Sequence, residues 1–313
     1  MKRPTATSDL FKNCRLCPRR CGVDRASGER GFCGAGAEME VASVVVHQGE
    51  EPFFTGDAGT GNVFFNHCSM ACVYCQNHQI SRRGSGKVHS SRDLAEALLG
   101  LQERGCPTVG FVSPGHYLPL VAQTISLARE MGLAVPVIWN SNGYEVPELL
   151  ELLHDLVDIW LPDLKYMDDD SALEYSSTPG YAEAARSSIM EMFRLAGPLR
   201  VENGIATGGL CVRHLVLPND LSGTTAALEF IAGISTDIPV SLMSQYNPVY
   251  RADEYPLLSR RVSPGEYWKA VETAEKLGLH RTLIQELESS PDHYLPDFTL
   301  TEPFRDQGPG GTS

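Results

Sequence analysis

A chain of 313 residues that is 42% hydrophobic and 21% charged has ordinary globular composition, which excludes a disordered or fibrous protein and leaves room for one large α/β domain with a small appendage. Its 39 acidic and 26 basic residues leave a formal charge of −13, the opposite of a nucleic-acid binder's basic footprint. No apolar run approaches the ~20 residues of a membrane span, and the opening MKRPTATSDLFKN lacks the apolar core of a secretory signal. The expected location is the reducing cytoplasm, where the nine cysteines are better read as metal ligands than as disulfides.

Residues 1–55 read as a small metal-stapled lobe. Cys14, Cys17, Cys21 and Cys33 lie in CRLCPRRCGVDRASGERGFCG, and four thiolates so spaced can close a tetrahedral zinc site or a fully ligated iron–sulfur cluster. A zinc ribbon would show two CxxC pairs, whereas only the first is present; free structural cysteines are the remaining alternative. Arg15, Arg19 and Arg20 are expected to lower the thiol pKa values and favour metal. EVASVVVHQ then has the β-branched run of a strand.

Residues 56–290 alternate short apolar strands with longer helical segments. The strands are NVFFN, TVGFVS, PVIWN, VDIWLPD, LCVRHLVLP and PVSLMSQ. Between them, SRDLAEALLGLQERG and GEYWKAVETAEKLG place apolar residues at helical spacing. Ser91 is expected to cap the first of these helices, and Gly105 and Gly132 to follow helix ends. Strands alternating with helices imply parallel βαβ units. Six such units suit a partial (β/α)6 TIM-like barrel, with a doubly wound open sheet as the competitor. Residues 291–313, ending RDQGPGGTS, are expected to form a frayed tail. Cys106 and Cys211 stand alone and read as packing residues.

Cys68, Cys72 and Cys75 in NHCSMACVYCQN carry the chemistry. The spacing C-x3-C-x2-C gathers three thiolates on one tight loop, which leaves one iron of a [4Fe–4S] cube without a protein ligand; an open coordination position marks a catalytic metal. Half a zinc site or buried small hydrophobes are the plainer alternatives. The loop follows the first strand, and in parallel α/β folds ligands bind at the carboxyl ends of strands. The other strand ends carry Ser113 and His116, then Asn140, Ser141 and Asn142, then Asp163 and Lys165, then Arg213 and His214, and finally Gln245 and Tyr246. At least one of Asp163 and Lys165 is expected to face a shared pocket, although a solvated turn pair is the bland reading. His116 is a proton donor, a substrate contact or simply a polar pocket lining.

With its aromatic Tyr74 before the third cysteine, the motif resembles that of the radical S-adenosylmethionine (radical SAM) superfamily. The runs HQGEEPFF, GTGNVFFNHCSMACVYCQN, NSNGYE, LPDLKY, RHLVLP and LMSQYNPVY, spread from Cys14 to Gln285, resemble the activating-enzyme-like subfamily associated with pyruvate formate-lyase. The resemblance implies a [4Fe–4S] cluster on Cys68, Cys72 and Cys75 whose free iron chelates SAM. A reduced cluster would break the sulfonium bond to give methionine and a 5′-deoxyadenosyl radical. That radical would abstract hydrogen, in activating enzymes from a glycine of a partner protein. It also implies an electron donor such as flavodoxin or ferredoxin. SAM would contact Tyr74 through its adenine, Asp163 and Lys165 through the DxK element, and Ser113, Asn140 and Arg213 around them. Where activating enzymes carry an acid in a GGE-type element, this chain has Ser113-Pro114-Gly115-His116. Action on a small molecule is therefore a second enzymatic expectation, and a non-catalytic iron–sulfur electron carrier or scaffold is the alternative of another class.

Overall fold

A computed structural model describes residues 9–82, 86–287 and 295–304. Within them lie strands β1 (Met39–His47), β2 (Thr60–Phe65), β3 (Lys87–His89), β4 (Val109–Val112), β5 (Val137–Ser141), β6 (Ile159–Pro162), β7 (Arg200–Glu202), β8 (Ile205–Leu210), β9 (Val212–Leu215), β10 (Val240–Met243) and β11 (Thr282–Ile284). The sheets run β3-β1-β2-β4-β5-β6-β8-β7 and β11-β10-β9. They join where Asp163, just past β6, bridges to Arg213 in β9. From β2 through β4, β5, β6 and β8 all pairs are parallel, as they are from β9 to β11. Strand order follows chain order without the reversal of a doubly wound sheet, so the expected partial α/β barrel is the architecture found. Because β1 adds antiparallel to β2, that edge is extended outward and the barrel stays open.

The order carries three corrections. β1 belongs to the barrel sheet, so the cysteine-rich segment ends before Met39 rather than at residue 55. The cap of helix Ser91–Glu103 is Ser90, not Ser91; the Ser90 hydroxyl accepts from the Asp93 amide while the Asp93 carboxylate accepts from the Ser90 amide, a reciprocal capping box. Between β7 and β8, Asn203 (φ +52°) and Gly204 (φ +83°) form a tight left-handed hairpin turn. This Asn-Gly signal lies outside the six expected strands. Gly105 and Gly132 do follow helix ends, at φ +89° and +107°, where any side chain would be strained.

The core has two layers. Val109, Phe111, Val137, Trp139 and Trp160 pack with Leu94, Leu98, Val121 and Ile125 of the surrounding helices, whereas Ile138, Ile159, Leu161 and Cys211 form a separate cluster with Phe54. Cys106 and Cys211 are fully buried packing residues, as expected. The region expected to fray is docked over part of its length. Phe298 and Phe304 pack edge-on and tilted against Phe64 with ring centroids 5.3 and 5.5 Å away, and Gln79 donates to Asp297 at 3.2 Å. Two phenylalanines outweigh the glycine-rich ending, whose last nine residues, 305–313, lie outside the described residues. Among the described residues no helix is long and apolar enough to cross a membrane.

His214 shows how strand alternation sorts neighbours. It lies on the opposite side of β9 from Arg213, with Nδ1 donating to the Leu164 carbonyl at 2.7 Å and Nε2 accepting from the Thr224 hydroxyl at 2.9 Å, so it does not join the strand-end pocket. Burial pushes its pKa from 6.5 down to about 4. A folded pKa below the unfolded one means the unfolded chain takes the proton first. The neutral histidine's stability is therefore complete above about pH 6.5 and is lost as pH falls toward 4, on the order of 3 kcal/mol. His214→Gln is expected to flatten the acid limb of a urea-midpoint profile by that amount.

Candidate active site at the three-cysteine loop

The chain leaves β2 at Phe65 and turns through His67 in a left-handed conformation (φ +72°). Backbone bonds then pin the cysteine loop on several sides. Ala71 and Val73 donate to the carbonyls of Ser176 and Tyr175, both at 2.9 Å, at the end of helix Asp169–Ser176. Arg251, from the loop after β10, donates to Val73 at 2.8 Å. The loop is thus held by elements far apart in the chain.

Each sulfur has a side-chain polar neighbour. Asn142 Nδ2 donates to Cys68 Sγ at 3.4 Å and to Ser69 Oγ at 3.1 Å. Ser176 Oγ donates to Cys72 Sγ at 3.0 Å, and Ser81 Oγ lies 3.5 Å from Cys75 Sγ. Such contacts orient ligands and tune a cluster's potential. Burial pushes all three thiols up, Cys75 to about 12, while the Lys165 ammonium opposes the rise at Cys72 and Cys68. Metal insertion must therefore release their protons. Among the described residues no three His, Cys, Asp or Glu side chains close around a single-ion position. Three thiols on one loop can take three corner irons of a [4Fe–4S] cluster and leave the fourth open.

Asp163 and Lys165 both face the loop, because residues two apart on an extended segment share a side. Lys165 Nζ donates to Asp163 Oδ2 at 2.5 Å, each side chain 19% exposed, so this is not the solvated turn pair of the bland reading. Tyr181, wholly buried, fixes their backbone: its hydroxyl donates to the carbonyls of Asn142 and Asp163 and accepts from the Lys165 amide, all within 3.0 Å. Gly143 is required there, since at φ +78° a Cβ would run into the Asp163 carbonyl. Ser113 (φ +51°) donates its amide to the Asn140 carbonyl at 2.7 Å. The side chains of both are unengaged among the described residues.

Three expected site residues are placed otherwise. Tyr74 is buried, its hydroxyl 2.7 Å from that of Tyr166 and its ring edge-on to Tyr246 at 5.6 Å. It supports the loop through Tyr166, Ser176 and Cys72. Arg213 is held by both Glu50 and Glu51, so its guanidinium is committed within the barrel. His116 is buried, with Nε2 donating to the Asn66 carbonyl at 2.9 Å. Burial and the nearby Arg25 push its pKa down to about 3. Glu145 is the carboxylate that reaches the Ser113–His116 segment: it accepts from the Ser141 hydroxyl at 2.7 Å, packs against Gly115, and is pushed up to about 7 by burial.

Cys14, Cys17, Cys21 and Cys33 line one cavity together with Arg19, Arg25 and His116. The flanking cations are thus Arg19 and Arg25, not Arg15 and Arg20. Burial outweighs them at Cys17, whose thiol is pushed up to about 12 rather than down.

The model of the Radical SAM superfamily matches residues 62–213. An uncharacterised protein of Methanocaldococcus jannaschii is 31% identical over 281 residues, 87% of this chain and 77% of its own length. A pyruvate formate-lyase-activating enzyme of Clostridium pasteurianum is 25% identical over 183 residues, 56% of this chain and 69% of that enzyme. Among solved structures, a radical SAM methyltransferase from Sphaerobacter thermophilus superposes with a TM-score of 0.50 at 13% identity, covering 74% of this chain and 67% of that one. Streptococcus suis SuiB bound to S-adenosylmethionine gives 0.50 at 11% identity over 70% of this chain and 48% of SuiB, so the chain spans about half of SuiB. At those identities the two structures speak for the fold alone. The sequence matches speak for lineage, and with the matched span running from β2 through the cysteine loop and the Asp163–Lys165 pair to Arg213, the chain belongs to the radical SAM superfamily.

Proposed function

We propose that this chain is an activating-enzyme-like radical SAM enzyme that abstracts hydrogen from a protein or peptide substrate. The observation that carries the reading is the 25% identity over 183 residues to a pyruvate formate-lyase-activating enzyme. A [4Fe–4S] cluster on Cys68, Cys72 and Cys75 would supply one electron to the SAM sulfonium, giving methionine and a 5′-deoxyadenosyl radical. The protein's own part is placement. Lys165 presents a compact cation suited to the SAM carboxylate and Asp163 an anion suited to its ammonium. Asn140 and Ser113 offer free hydrogen-bonding groups to the ribose hydroxyls. A flavodoxin- or ferredoxin-type donor would deliver the electron.

Hydrogen abstraction from a small molecule is the second reading. It is favoured by the Ser113–His116 segment, which lacks an acid of its own and receives Glu145, a carboxylate engaged by Ser141. Reduced, anaerobically reconstituted protein incubated with SAM and pyruvate formate-lyase of Clostridium pasteurianum separates the two. The activase reading expects a glycyl-radical doublet in the EPR spectrum alongside 5′-deoxyadenosine. Deoxyadenosine with no protein radical shifts the assignment to the second reading.

Asn142→Ala tests the support of the cluster thiols. Loss of the amide donor to Cys68 Sγ should leave iron content unchanged while lowering the midpoint potential, because the reduced, more negative cluster loses more from a missing donor. SAM cleavage should fall by about 10-fold. An unchanged potential in a redox titration would remove Asn142 from this role.

A further inference from the structure

Arg25 is 2% exposed and makes its hydrogen bonds to the carbonyls of Gly36 and His116, with Cys14 Sγ 3.8 Å away. Its guanidinium lies over the rings of Phe11 and Tyr117, 4.6 and 5.5 Å from their centroids. Among the described residues no carboxylate pairs with it, although a buried charge without a counter-ion is costly. The cavity it lines holds four thiols, groups able to carry negative charge. Arg19, on the same cavity, likewise spends its donors on carbonyls, those of Ser69 and Ser177.

The backbone holds the four cysteines close together. Cys14 donates to the Val23 carbonyl at 3.0 Å and accepts from the Gly22 amide at 2.9 Å, which folds the segment onto itself. Gly31 passes so close to Cys21 that a Cβ would stand 3.0 Å from its sulfur.

We propose that Cys14, Cys17, Cys21 and Cys33 bind a second [4Fe–4S] cluster. Four thiolates around a [4Fe–4S] core of charge 2+ leave a net charge of −2, which Arg19 and Arg25 neutralise. Among the described residues no three of these cysteine side chains close around a single-ion position, and only one CxxC knuckle is present where a zinc ribbon uses two. With all four irons ligated by protein, this cluster has no position for SAM. It sits against the catalytic loop: Arg19 Nε donates to the Ser69 carbonyl at 2.7 Å, and a Cβ on Gly34 would lie 3.2 Å from His67 Nδ1. Cys33-Gly34 therefore touches His67-Cys68. The assignment goes beyond the proposed function and stands whether or not the catalytic loop acts on a protein.

The test is anaerobic reconstitution of the full chain with ferrous iron, sulfide and zinc all present, followed by metal and sulfide analysis and EPR of the dithionite-reduced protein. The wild type should hold about eight irons and the Cys68→Ala/Cys72→Ala/Cys75→Ala variant about four. SAM should perturb the EPR signal of the wild type and leave that of the variant unchanged. Cys17→Ser/Cys33→Ser should hold about four irons and keep the SAM-sensitive signal. A wild type with about four irons and one zinc, or with about four irons and no other metal, overturns the proposal even if a variant fails to fold.

Discussion

Cys68→Ala is expected to abolish formation of 5′-deoxyadenosine and the SAM-sensitive EPR signal together. The remaining thiols, Cys72 and Cys75, would leave two irons of the cube without protein ligands, and the Asn142 amide that now meets Cys68 Sγ would have no sulfur to serve. The loop itself should persist, because its anchors are backbone bonds from Ala71, Val73 and Arg251 that do not involve the thiol. Far-UV circular dichroism and the urea midpoint should therefore stay close to wild type while activity falls to background. Contrast with Asn142→Ala sharpens the reading: loss of a ligand removes the cluster, whereas loss of its neighbour only retunes it. Retained SAM cleavage in Cys68→Ala would overturn the site.

Arg213→Met is expected to damage the fold instead. Arg213 is 13% exposed and lies between Glu50 and Glu51, at 9% and 7%, with Asn62 donating to Glu50 at 2.6 Å. Burial alone would raise the Glu50 pKa, but the Arg213 charge, with His47, overrides it and holds the carboxyl at about 2. Removing the cation strands two carboxylates in a poorly solvated interior, which costs about 3–5 kcal/mol. The loss should be read as a lower urea midpoint at unchanged slope. Because Glu50 is depressed, its pairing contributes fully above its ordinary pKa of 4.5 and is lost as pH falls toward 2. Arg213→Met should therefore narrow its deficit in acid. Glu50→Gln/Glu51→Gln/Arg213→Met should recover most of the loss, since neutral amides can be buried without a counter-ion. Failure of that recovery would show that Arg213 acts in some other way, such as on bound SAM.

The sequence alone carried the features whose physics is local. Three cysteines at x3 and x2 spacing must share one loop, and a strand end carrying Asp163 and Lys165 must turn at least one of them to the pocket; that both face it, paired with each other, is shown by the fold. Apolar strands alternating with helical stretches specify parallel βαβ units, because an antiparallel neighbour needs no helical crossover. What only the tertiary structure decided depends on long-range pairing. Ser176 reaches Cys72 across 104 residues and Arg213 reaches Glu51 across 162, separations at which no spacing rule operates. Tyr74 looked like a ligand contact, yet its hydroxyl is taken by Tyr166, a partner 92 residues away. His116 and Arg213 sit at strand ends as expected, but occupancy of a strand end does not say whether a side chain is already engaged. Within residues 1–38, spacing brought four cysteines to notice; the fold added the buried Arg25, which has no carboxylate partner among the described residues. The chain's chemistry is thus written in local ligand spacing, which covalent geometry enforces. Which polar groups remain free to use it is settled by burial, since desolvation compels each interior donor and charge to take a partner wherever the fold supplies one.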